Sequence, residues 1–179
     1  MTAFVVLLRG VNVGGNNKMP MSEFRELLST LGCKAVATYI QSGNAVFRHD
    51  SSTAELTLAI AESVKSKFGF QASVMVLTAS EFENVANQVP FATTESESKL
   101  LHTWFLQERA TNADTGRLDD LASDSETFTL TDAAFYLHAP DGIGRSKLAS
   151  NVERCLAVAA TARNWRTIGK IRSLLEALS

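Results

Sequence analysis

The sequence predicts an α+β protein made of two tandem ferredoxin-like halves, each a βαββαβ unit with an antiparallel sheet and flanking helices. Three observations lead there. The order strand, helix, hairpin, helix, strand occurs twice along the 179 residues. Each hairpin joins strand-forming runs through a short polar connection, which makes the pairing antiparallel. The helices carry apolar residues at three- and four-residue spacing, the stripe of a helix that covers one sheet face. The first half is expected over residues 1–92 and the second over 99–179, with a linker at 93–98.

The run Phe4-Val5-Val6-Leu7-Leu8 is a first strand. It is far too short to span a bilayer and no basic region precedes it, so no membrane partner is expected and the compartment expected is cytoplasmic. A polar stretch, Arg9-Gly10-Val11-Asn12-Val13-Gly14-Gly15-Asn16-Asn17-Lys18-Met19, then feeds a helix. In that helix Pro20 suits the first turn, Phe24, Leu27, Leu28 and Leu31 form the stripe, and Gly32 is the stop. Residues 34–40 and 45–48 read as a hairpin about Gln41-Ser42-Gly43-Asn44. Ser52-Thr53-Ala54-Glu55 is a capping box opening a helix with Leu56, Ile60, Val64 and Phe68 on one face and Gly69 at its end. A strand over 73–77, a second capping box at Thr78-Ala79-Ser80-Glu81, and a helix with Phe82, Val85 and Val89 before Pro90 complete the first half.

The pattern restarts with a buried strand over 100–106, containing Trp104 and Phe105. A helix about 114–122, a hairpin from 126–131 and 134–138, a helix over 146–156 and a strand over 160–164 follow. The last helix runs from Thr167 through Ile168, Ile171, Leu174 and Leu178.

Hydrophobic residues are 45% and charged residues 20% of the chain, ordinary globular usage that excludes disorder as an overall description. The net charge of −2 hides an asymmetry: residues 79–132 hold eleven acids and three bases, and residues 143–175 hold seven bases and one acid. A pI near 5.9 argues against a nonspecific coat for duplex DNA, while the basic segment suits an anionic partner. Cys33 and Cys155 lack C-x-x-C spacing, so thiols are expected, without a disulfide framework or a zinc site.

Four stretches carry candidate binding chemistry. In the first, glycines allow close backbone approach, and Arg9, Asn12, Asn16 and Lys18 supply donors at the mouth of a helix whose first amides are unpaired. That favours an anion, although a glycine-rich connection whose asparagines satisfy turn amides has the same composition. The spacing is not G-x-G-x-x-G, so a dinucleotide site is not expected. In the second, Gln41, Ser42 and Asn44 offer directional amide and hydroxyl groups to a base edge or polar ligand, or simply close a turn.

The third is Gly142-Ile143-Gly144-Arg145-Ser146-Lys147, where backbone amides, a hydroxyl and two cations before a helix suit phosphate, or else a capped turn. It lacks the order of a P-loop. In the fourth, Arg163, Asn164 and Trp165, followed by Arg166, suit phosphate binding and base stacking. The alternative puts Trp165 in the core with Arg163 and Arg166 at its solvated edge. Catalytic signals are poor: His49, His102 and His138 have no metal-ligand spacing, Ser146 has no G-x-S-x-G elbow, and Asp119 and Asp120 read as helix-solvating acids. No metal or cofactor is expected.

Arg9-Gly10-Val11-Asn12-Val13-Gly14-Gly15 with Met19, then Tyr39-Ile40-Gln41-Ser42-Gly43-Asn44, then Gly142 to Lys147, then Thr161-Ala162-Arg163-Asn164-Trp165-Arg166-Thr167, resemble the bacterial domain-of-unknown-function 1697 family. The resemblance implies an α+β fold of two related ferredoxin-like halves and implies no activity. The function expected from the residues is binding of a phosphate-bearing ligand, a nucleotide or single-stranded nucleic acid. The competing expectations are an enzyme acting on a small phosphorylated metabolite, and a non-catalytic protein-interaction module.

Overall fold

The computed structural model describes residues 1–91, 94 and 97–178; the linker expected at 93–98 lies partly outside them. Among the described residues the protein is α+β, with two four-stranded antiparallel sheets and six α-helices. Its packing divides the chain into two compact units, Met1–Asn84 with Lys170–Ser179, and Val85–Gly169.

In the first unit β1 (Thr2–Arg9) occupies a central position because its apolar run leaves no side for water: Val5, Val6 and Leu7 are all fully buried. It pairs with β3 (Asn44–His49), Leu7 opposite Asn44, and with β4 (Ser73–Thr78), Leu7 opposite Met75. With β2 (Lys34–Tyr39) outside β3, the order is β2-β3-β1-β4. A register shift between Lys34 and Ala37 marks a bulge in this edge strand. Phe4, Val6 and Leu8 share one core with Phe24, Leu27 and Leu28 of α1 (Met21–Thr30) and Leu56, Ile60 and Val64 of α2 (Thr53–Phe68), the residues of the two predicted stripes.

Both capping boxes form. Ser52 N donates to Glu55 Oε2 at 2.9 Å and Glu55 N to Ser52 Oγ at 3.3 Å; the bond from the Ser52 amide is the main reason the Glu55 carboxyl lies below its ordinary range. Thr78 and Glu81 repeat the pair at 2.8 and 3.2 Å ahead of α3 (Ala79–Asn87). Pro20 differs from the prediction. With ψ at 134° it precedes α1 rather than joining its first turn, and its carbonyl accepts from Phe24 N.

In the second unit β5 (Leu101–Leu106) is buried along its whole length between β7 (Ala134–His138) and β8 (Ala160–Asn164), and β6 (Thr127–Leu130) lies outside β7. The order is β6-β7-β5-β8, all antiparallel. Trp104, Phe135 and Leu137 pack with Leu118 of α4 (Thr115–Leu121) and with Leu148, Val152 and Leu156 of α5 (Lys147–Leu156). Burying each of those three α5 side chains contributes about 1.5–3 kcal/mol. Tyr136 donates to Val85 O at 2.7 Å, so the hydroxyl of this fully buried ring is satisfied. α6 (Trp165–Glu176) follows β8 directly, two residues earlier than predicted, because its polar first residues carry no stripe.

The end of α6 belongs to the first unit, where Arg172 pairs with Glu83 at 2.7 Å and Arg48 donates to Leu178 O at 2.8 and 3.0 Å. Both cysteines are buried free thiols, and burial pushes Cys33 up to about 11. Among the described residues no helix is long and apolar enough to cross a membrane.

Candidate functional site

The glycine loop after β1 and the β2–β3 turn are brought together, by one side chain. Asn12 Nδ2 donates to Met19 O at 2.9 Å and to Gln41 O at 2.8 Å, while its Oδ1 accepts from Met19 N at 2.8 Å. The amide is therefore engaged on backbone throughout. Asn17 adds a bond to Gly10 O at 2.7 Å, and Val13 and Asn16 close a tight hairpin tip. In the turn, Asn44 is fully buried as the first residue of β3 and donates to Tyr39 O at 3.0 Å and Ser42 Oγ at 2.9 Å.

Gly43 has two reasons to be glycine. Its φ is 77°, and a Cβ there would lie 2.6 Å from Leu8 Cβ. What remains outward on this surface is Arg9, Asn16, Lys18 and Gln41, all exposed, with Val13 64% and Ile40 50% exposed beside them. Ile40 also holds φ at 47°, a strained conformation for a β-branched residue.

In the second unit, Arg145, Ser146 and Lys147 line a cavity of about 400 Å³ between the entrance of α5 and the segment that leaves α4. Ser146 caps α5, its Oγ accepting from Ala149 N at 2.9 Å. In a helix the first amides have no intrahelical carbonyl, and the remaining ones of this turn face the entrance. Arg145 and Lys147 are exposed, and among the described residues their side chains make no ion pair. Gly142, in the wall, holds φ 81° and ψ 151°, a region essentially restricted to glycine.

The lining is also acidic. Asp120, Glu126 and Asp141 line the same cavity. Asp141 Oδ2 accepts from Ser125 Oγ at 2.8 Å, and Glu126 Oε2 from Ser123 N at 2.9 Å. These carboxylates are not legible as a group in the sequence: Asp120 reads as a helix-solvating acid on α4, and only the fold brings Asp141 into the same lining. The sole local signal is two consecutive acids, Asp119 and Asp120, in the last turn of α4, where the helix dipole favours cations.

Arg163, Asn164 and Trp165 are not among the residues that line this cavity. Arg163 is 9% exposed on β8, donates to Ala162 O at 2.7 Å, and has its pKa lowered to about 10 by burial. That burial differs from the expectation that sets Arg163 at a solvated edge. Asn164 Oδ1 accepts from Thr167 N at 2.9 Å and so caps α6, and Trp165 is half-buried at its start. A further polar cleft of about 260 Å³ is lined by Asp114, Arg117, Asn151, Arg154 and Cys155 between α4 and α5. Among the described residues no group of three or more His, Cys, Asp or Glu side chains is arranged to hold a metal ion.

These features define an α+β protein of two antiparallel sheets with a charged cavity at one helix entrance. Residues 1–136 match the model of the family described as protein of unknown function (DUF1697), and the chain belongs to that family. The segments 142–147 and 161–167 lie beyond the matched span. The solved structure of the conserved bacterial protein SP0830 from Streptococcus pneumoniae is similar over 97% of this chain and 98% of that one, with a TM-score of 0.70 at 24% identity. At that identity the likeness is one of fold. No curated protein matches the chain.

Proposed function

We propose that the protein binds a phosphate-bearing small molecule, a nucleotide or phosphorylated metabolite, in the cavity at the entrance of α5. The observation that carries this is the two cations, Arg145 and Lys147, without an ion pair among the described residues, at the capped first turn of a ten-residue helix within one cavity. Helix entrances attract anions through free amides and the dipole, and two side-chain cations add charge-assisted hydrogen bonds. A cavity near 400 Å³ suits a small ligand better than a strand of nucleic acid, and Trp165, the residue suited to stacking bases, is not part of its lining.

We propose further that the two units are ferredoxin-like repeats of one ancestral βαββαβ element. In support, each sheet places its first strand between its third and fourth, with the second outside the third.

The test is thermal unfolding of the full chain at fixed low salt with nucleoside monophosphates and phosphorylated metabolites. A ligand at 100 times its Kd adds about 2.7 kcal/mol of stability, a readily measured rise in Tm. The rise should vanish in the Arg145→Ala/Lys147→Ala double variant, whose circular dichroism should match the parent. A rise that survives in the double variant, or none across the panel, rejects the proposal.

A further inference from the structure

The cavity at α5 is lined by charges of both signs. Arg145 and Lys147 line it with Asp120, Glu126 and Asp141, yet among the described residues no ion pair joins the two sets. Here two of the acids are oriented by their own bonds, Asp141 to Ser125 and Glu126 to the Ser123 amide. Asp120 has no such partner and sits in the last turn of α4, where a carboxylate opposes the helix dipole and contributes nothing to helix stability. A plain phosphate would meet two cations and three carboxylates, so the carboxylates oppose part of the attraction of the cations. A ligand carrying charges of both signs offers each set its complement.

We infer that the cavity selects a dipolar ligand, a phosphate ester that also carries a primary amine. Its phosphate lies against Arg145, Lys147 and the α5 entrance, and its ammonium against Asp120 and Asp141. This rests on the phosphate reading above and adds the second half of the ligand. The acidic wall then acts as the discriminating element, because an ester without the amine leaves the carboxylates facing its phosphate unrelieved.

Isothermal titration of the full chain with phosphoethanolamine and with glycerol 3-phosphate tests it, since both carry a phosphate monoester and only the first an amine. Phosphoethanolamine is expected to bind at least about tenfold more tightly, a difference of about 1.4 kcal/mol. Asp120→Asn should bring the two affinities together while glycerol 3-phosphate binds as well as before or better. Equal affinities in the parent protein, or a preference that survives both Asp120→Asn and Asp141→Asn, overturn the dipolar inference and leave the phosphate reading standing. Binding of neither probe overturns the dipolar inference, and binding indifferent to Arg145→Ala overturns both.

Discussion

The two units use the same strand order but gather their polar loops at opposite ends of the central strand. In the first, the loop after β1 and the β2–β3 turn meet at the Leu8–Arg9 end, where Leu8 N donates to Gly43 O at 2.8 Å. In the second, the segment after β7 and the β8–α6 junction lie toward the Leu101–His102 end, Leu101 facing His138 and His102 facing Asn164. The polar groups are also spent differently. Asn12, Asn17 and Asn44 bind backbone and hold the first unit's loops closed. The side chains of Arg145, Lys147 and Asp120 make no ion pair among the described residues and line an open cavity. Glycine-rich loops of similar composition thus do separate work: amides turned onto the backbone build scaffold, and charges left without partners around a cavity build a site.

Stability measurements should sharpen that contrast. The largest effect is expected at Gly43→Ala, which combines a positive φ with a Cβ driven to 2.6 Å from Leu8. Strain and overpacking together should cost about 3 kcal/mol in urea unfolding. Gly142→Ala keeps only the backbone cost, since nothing lies within 4 Å of its Cβ, and should lose about 2 kcal/mol. If the two losses proved equal, the close packing of the first unit's turn would have no energetic content. Asn12→Ala, which strands Met19 N, Met19 O and Gln41 O, should also cost about 2 kcal/mol. Asn16→Ala, at the exposed tip, should stay within about 0.5 kcal/mol. A similar loss for both asparagines would remove the distinction between clamp and surface.

The same distinction explains what the sequence made legible. The sequence of elements along the chain, both capping boxes and the stripes Leu56-Ile60-Val64 and Phe24-Leu27-Leu28 follow from local periodicity and side-chain chemistry, and the structure has them in place. Asn12 was visible as a polar loop residue, but which way its amide turns depends on Gln41 O, twenty-nine residues on. Arg145 and Lys147 stand out from their neighbours in the chain, whereas Asp120, Glu126 and Asp141 acquire meaning only when α4 and the loop after β7 meet. Arg163 was misjudged for the same reason. Its burial comes on the edge strand β8, opposite Thr103 of the buried strand β5, and a chain position beside Asn164 and Trp165 cannot reveal that.

A smaller effect separates capping from binding at Ser146. Its hydroxyl already accepts from Ala149 N, so Ser146→Ala should cost about 1 kcal/mol of stability whether or not ligand is present. Ser146→Asp retains the cap and brings a fourth carboxylate to the cavity. It should keep the parent's stability and weaken phosphate-ester binding severalfold by calorimetry. Weakened binding in the alanine variant with no loss of stability would instead give the hydroxyl to the ligand.

The smallest expected change is one of slope with pH, and it again divides the units. His102 is buried on β5, and desolvation lowers its pKa, opposed by a weaker hydrogen bond with the Leu100 backbone; its Nδ1 has no partner among the described residues. The ring is therefore neutral when folded, whereas in the unfolded chain it takes a proton as pH falls through its ordinary value of 6.5. Below that value the unfolded state binds more protons than the native one, so stability falls with acidification until the folded ring itself titrates, and it is unaffected by this group above neutrality. Urea unfolding between pH 7.5 and 5, values spanning the usual histidine range of about 6.5, should show the decline in the parent protein. In His102→Gln the part due to this ring should disappear. An unchanged slope in that variant would place the acid sensitivity elsewhere and leave β5 without a titrating group in its buried layer.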